Sequence, residues 1–164
     1  MAPRGLTTGK FVAGAIVATA LIAGGFMYWL QVYAFYAPVL PQGRYAITLA
    51  PGPDQAADLV LDLTDFQGID ATSSPLRFRA CFQVLTPKAD VARTAQPYAT
   101  PEPLLPPGWF DCFEAETIAL ALQAGTAHAY LGQRDIFPGV DRVVAVFDDG
   151  RGFAWHQLNE TMKD

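Results

Sequence analysis

Twenty consecutive residues, Phe11 to Leu30, carry no charged side chain. An α-helix rises about 1.5 Å per residue and a bilayer's hydrocarbon core is roughly 30 Å thick, so the run has the length of one membrane span. Its far end is aromatic, with Tyr28, Trp29, Tyr33, Phe35 and Tyr36. Rings with one polar corner favour the headgroup layer, and Tyr28, Trp29, Tyr33 and Tyr36 read as interfacial anchors. Pro38 and Pro41 then stop the helix. The pattern therefore predicts a tail over residues 1–10, a span with its aromatic exit over 11–37, and a separate domain over 38–164.

Within that domain the period changes to two. RYAITLA at 44–50 alternates and predicts a strand, followed by a turn at PGPD. ADLVLDLTDF at 57–66 alternates through Leu59, Leu61 and Leu63 and also reads as a strand, while IDATSSP at 69–75 reads as a loop. The clearest strand is PLRFRACFQVL at 75–85. Leu76, Phe78, Ala80, Phe82 and Val84 form one face, and Arg77, Arg79, Cys81 and Gln83 the other. Residues 86–108 hold six of the thirteen prolines and read as an extended, structureless connector. A helix follows, with Glu114 and Glu116 in its first turn, Ile118, Leu120, Ala121 and Leu122 on its apolar side, and Gly125 at its end. Two β-rich runs around Asp148-Asp149-Gly150-Arg151-Gly152 predict a closing hairpin. The fold class is α+β: one N-terminal transmembrane helix, then a small, mainly antiparallel sheet domain with one helix.

Charge orients the span. Only Arg4 and Lys10 precede it, with no acid, whereas nine Lys/Arg and all sixteen Asp/Glu follow, a net charge of −7. Basic residues close to one end of a span mark its cytoplasmic side, so the N-terminus reads as cytoplasmic and the domain as exported. A cleaved signal would need a shorter apolar core. Cleavage after the small residues at 18–20 or 23–25 would also leave FMYWL at a new N-terminus, so the segment reads as a retained anchor. Gly14 and Ala18, and likewise Ala20 and Gly24, are four apart, a spacing that lets a partner helix approach closely. No ionisable residue lies within the span, which argues against an ion path through it. The acidic balance argues against nucleic acid as a partner.

Candidate chemistry is sparse. Two cysteines in an exported domain, Cys81 and Cys112, allow one intramolecular disulfide, which would close a loop of about 30 residues. Free thiols for redox or copper chemistry are the alternative, but such sites usually show nearby pairs. His128 reads as a cation near a helix C-terminus, and His156 as a structural residue of the last strand. No zinc or haem spacing, no nucleophile elbow and no phosphate-cradling loop occurs. No metal, cofactor or catalytic residue is therefore assigned. Arg77 and Arg79, two apart on one strand face, would suit a carboxylate or phosphate, or else neighbouring Asp side chains.

Two stretches, YWLQVYAFYAPV at 28–39 and IDATSSPLRFRACF at 69–82, resemble a family of small single-pass alphaproteobacterial proteins with an exported domain, known chiefly as a domain of unknown function. The resemblance spans most of the chain. It implies a bacterial inner-membrane protein facing the periplasm, and it carries over no catalytic residue. The copper-insertion factors of cytochrome oxidase assembly share the single span and periplasmic β domain, but their paired C-x-C motif is missing. The expectation is a non-catalytic, membrane-anchored accessory or assembly component that contacts the bilayer and other integral membrane subunits. A respiratory or photosynthetic electron-transfer complex is the expected host. A periplasmic sensor or anion-binding module is the alternative, and a thiol- or copper-handling assembly factor a third.

Overall fold

Helix α1 spans Thr8–Trp29, and Leu30–Ala34 widen into a π-helical turn in a computed structural model that describes residues 8–162. Together Thr8–Ala34 are 27 residues of mean hydropathy 1.9, one helix long and apolar enough to cross a membrane. Its large side chains, among them Phe11, Leu21 and Ile22, are exposed. Of the expected tail at 1–10, residues 1–7, including Arg4, lie outside the described residues.

The chain divides into two compact units, residues 1–35 and 36–164. The second begins with strand β1, Tyr36–Val39, two residues before the boundary expected at 38. Tyr36 and Ala37 leave helical geometry because they pair with Ala71 and Asp70. Pro38 reinforces this, since the residue before a proline disfavours the α region. The remaining strands are β2 (Thr48–Leu49), β3 (Leu59–Val60), β4 (Leu63–Ala71), β5 (Arg79–Val84), β6 (Ala127–Phe137), β7 (Val140–Phe147) and β8 (Arg151–Leu158). Two helices complete the unit, α2 (Lys88–Thr94) and α3 (Ala115–Ala124). Six strands make one antiparallel sheet in the order β1-β4-β5-β8-β7-β6, and β2 and β3 form a separate ribbon. The α+β, mainly antiparallel architecture is the expected one.

Both faces of the sheet are buried, which is why so few residues read as a solvated side. On one face, Cys81, Val143, Ala145, Phe153 and Trp155 pack against Phe110, Phe113, Ile118 and Ala121, from α3 and the segment before it. On the other, Phe78, Ala80, Phe82, Val144, Val146 and Ala154 pack against Ile47, Leu49, Leu61, Val91 and Ala95, from the ribbon and α2. Gly152 is required here: an added Cβ would collide with the Phe82 ring, which lies across the cross-strand position. The outer edge of β6 is capped by backbone bonds, Leu131 N to Gln96 O at 2.9 Å and Tyr98 N to Ala129 O at 2.9 Å. The opposite edge, β1, is only four residues long and contains Pro38, two features that blunt further strand pairing.

Several element boundaries differ from the reading by pattern. Residues 43–45 form a 3₁₀ turn, so only Thr48–Leu49 of RYAITLA is strand. The run 57–66 breaks at Leu61-Asp62, where the chain passes from the ribbon to the main sheet. Ile69–Ala71 is strand rather than loop, because all three residues pair with β1 and Ile69 also pairs with Arg79 of β5. Strand β5 starts at Arg79, since the Leu76 and Phe78 carbonyls accept from the Arg79 side chain. The Pro-rich connector is ordered. It contains α2, and its later part is held by buried Gln157, which accepts from Glu102 N at 2.8 Å and donates to Thr100 O at 3.0 Å. Strand β6 was not foreseen, so His128 lies within a strand, paired with Val146, rather than in a tail after the helix. In α3 the i, i+3 row Ala115, Ile118, Ala121 is buried while Leu120 is exposed. Gly125 ends that helix in the left-handed region, φ 72°, as expected.

Candidate functional site

The end of the sheet where β4 leads to β5 and β6 leads to β7 gathers most of the buried polar chemistry. Arg142 on β7 and His156 on β8 are direct cross-strand partners. Both are buried, at 1 % exposure each. Arg142 Nε lies 3.2 Å from His156 Nε2, and His156 Nδ1 lies 2.8 Å from the Pro75 carbonyl. A carbonyl only accepts, so the proton sits on Nδ1, and Nε2 receives the Arg142 hydrogen. Burial, and then the charge of Arg142, pull the imidazole down to about 3, so it is neutral at physiological pH.

The Phe78 ring stands beside both residues, 4.6 Å from the Arg142 guanidinium carbon and 4.8 Å from the imidazole centroid. Arg142 Nη1 donates to Ala46 O at 3.2 Å, while Nη2 has no protein partner. Burial lowers the Arg142 guanidinium to about 10, with Asp70 opposing the shift, so it stays charged at neutral pH. Buried Asp70 accepts from Arg44 Nη2 at 3.0 Å, from Tyr45 Oη at 3.1 Å and from the Ala71 N–H at 2.8 Å. Arg44, Asp70, Thr72, Ser74, Pro75 and Phe137 line an open cleft of about 410 Å³. The cleft offers two hydroxyls and one largely exposed guanidinium beside an aromatic wall. The imidazole nitrogens and the Asp70 oxygens are already engaged, so the groups beneath it hold the fold together rather than present an open base or nucleophile.

A second buried carboxylate closes the β6–β7 hairpin. Asp141, fully buried, accepts from Asn159 Nδ2 at 3.0 Å, Asp135 N at 3.0 Å and Tyr98 Oη at 3.2 Å. Burial, and then the Asp141 charge, push the Tyr98 hydroxyl up to about 12.

The residues singled out by pattern fall in different places. Arg79 is buried beneath the segment 104–105. It donates to Leu104 O at 2.7 Å, Leu76 O at 2.8 Å, Phe78 O at 2.6 Å and Leu105 O at 3.3 Å. Burial lowers its guanidinium to about 10. The Arg77 guanidinium carbon lies 5.3 Å from the Tyr36 ring centroid. The cation that lines the cleft is Arg44, which the alternation did not single out. Cys81 and Cys112 form the expected disulfide, with Cα atoms 6.2 Å apart. His128 is exposed at the rim of a shallow depression of about 240 Å³ floored by Val91, Tyr130 and Val146. Gly14, Ala18, Ala20 and Gly24 lie on α1, and an added Cβ at Gly14 or Gly24 would meet open space. Tyr28 and Tyr33 pack edge to face within the helical unit, whereas Tyr36 belongs to the sheet. No group of three metal-ligating side chains occurs among the described residues.

The class is therefore an α+β protein with one membrane-length helix and an antiparallel sheet covered on both faces. Residues 47–164 match a family of unknown function, DUF6446, and the chain belongs to that family. No curated protein and no solved structure matches it.

Proposed function

We propose that the chain is a membrane-anchored, non-catalytic accessory or assembly component of a larger membrane complex. In this reading the helix sits in the bacterial inner membrane with its N-terminus cytoplasmic, and the sheet domain lies in the periplasm. An electron-transfer complex, respiratory or photosynthetic, is the host we favour. The observation that carries the reading is the contrast between the two units. The helix exposes apolar side chains along its whole length, with open space at Gly14 and Gly24. The domain, by contrast, commits most of its buried polar groups to its own backbone and side chains, Arg142 Nη2 excepted. Small residues on a membrane helix permit close approach of another helix, which is what an accessory subunit requires.

The test is gentle extraction from native membranes followed by affinity purification. Other integral subunits in fixed ratio are expected, and Gly14→Leu with Gly24→Leu is expected to weaken their recovery. Migration as a lone monomer in every mild detergent overturns the reading. Protease added to spheroplasts is expected to reach the domain, and protection there overturns the topology.

A further inference from the structure

We infer that the depression between helix α2 and strands β6 and β7 binds a small, uncharged ring compound whose one carbonyl or ether oxygen accepts a hydrogen bond from Tyr130. The site lies wholly within the sheet unit and is independent of the membrane-anchored reading above.

Strand period and register build the floor. Alternation places His128 and Tyr130 on one face of β6, and pairing sets Val146 of β7 opposite His128. Helix α2 adds buried Val91 and lines the depression further with Ala89 and Ala92. Protein interiors are close-packed, and two such short side chains leave a gap that a Leu would fill. The gap measures about 240 Å³. A cavity of about 150 Å³ takes benzene, so there is room here for a ring with a short substituent.

One polar group in the depression is uncommitted. Tyr130 is 7 % exposed, yet its hydroxyl has no hydrogen-bond partner among the described residues. A buried phenol usually finds one. The fully enclosed side-chain atom without a partner among the described residues is Arg142 Nη2, so the Tyr130 oxygen is not sealed in. Tyr130 lines the depression, and that is where its oxygen meets solvent. Burial raises its pKa, so the hydroxyl keeps its proton at neutral pH and acts as a donor. The ligand must therefore bring an acceptor. Charge sets the rest. Lys88 at the rim is already held by Asp148, its Nζ donating to Oδ1 at 2.6 Å and to the carbonyl oxygen at 3.2 Å. An anionic ligand would have to displace that carboxylate, and a cationic one would be repelled by Lys88. The apolar floor thus favours an uncharged ring with a single well-placed oxygen.

The experiment uses the full chain in lipid nanodiscs, methyl-labelled at Ala and Val, titrated with acetophenone and followed by methyl NMR. The methyls of Ala89, Val91, Ala92 and Val146 are expected to shift together and saturate. The expected dissociation constant is about 0.1–1 mM, in keeping with roughly ten non-hydrogen atoms. Tyr130→Phe is expected to weaken acetophenone about three- to tenfold and to leave ethylbenzene, which lacks the oxygen, unchanged. Ala92→Leu, at an exposed helix position, is expected to abolish saturable binding of both. Shifts confined to the α1 methyls, or rising linearly throughout, report partition into lipid and overturn the inference. Unchanged binding in Ala92→Leu also overturns it. Equal acetophenone affinity in Tyr130→Phe overturns the hydrogen bond, and tighter binding of benzoate than of acetophenone overturns the uncharged class.

Discussion

His156 sits between an acceptor, the Pro75 carbonyl, and a donor, Arg142 Nε, and the two together choose its neutral tautomer. Its folded pKa of about 3 lies below the ordinary value of 6.5. Between those values the unfolded chain binds the proton and the folded chain does not. This contribution to stability is therefore complete above about pH 6.5 and is lost as pH falls toward 3, at roughly 1.4 kcal/mol per pH unit. Urea midpoints are expected to fall steadily from pH 7 to pH 5. His156→Gln starts lower and loses most of that slope, and a midpoint flat in pH for the native chain rejects the assignment. Nothing in the residue pattern announced this cluster. A His after a Trp in a β-run is compatible with any environment, and only the register that sets Arg142 opposite His156 makes it a buried pair.

At the scale of elements, the segment between β5 and α3 depends on one side chain and one disulfide. Arg79 donates to four carbonyls, two of them at Leu104 and Leu105. Arg79→Met leaves these acceptors without a donor, at a cost of about 3 kcal/mol. The expected result is a lower urea midpoint and early proteolytic cleavage near residues 104–105, while α3 and the sheet resist. Uniform resistance along the chain contradicts the anchoring role. The Cys81–Cys112 bridge closes a separation of 31 residues and contributes about 3–4 kcal/mol in the chain-entropy model. Both elements are partly legible beforehand. Cysteine count and compartment pointed to the bridge, and Gly125 and the Glu-rich first turn marked α3. The Pro-rich segment was unreadable as structure because its order comes from Arg79 and Gln157, partners distant in sequence. Strand β6 was unreadable because its AHAY start directly follows a helix end and carries no strong alternation.

For the whole molecule, every residue of both core clusters lies at or beyond Tyr36. Residues 36–164, exported without the helix into an oxidising compartment, are therefore expected to fold as a soluble, disulfide-bonded domain that melts cooperatively, as checked by size exclusion and thermal circular dichroism. Aggregation or loss of cooperativity shows instead that the helical unit completes the core. The chain's residue pattern by itself determined the membrane-length helix, the α+β class, the one intramolecular pairing open to two cysteines and the lack of any recognisable catalytic motif, because each depends on local period, length or residue count. The tertiary structure decided what covers each sheet face, that the Cys81–Cys112 bridge forms, which arginine is buried and which faces the cleft, and that Trp109 packs against Tyr36. Those outcomes depend on strand order and register, and antiparallel pairing brings together residues such as Tyr36, Arg77 and Trp109 that no local window contains.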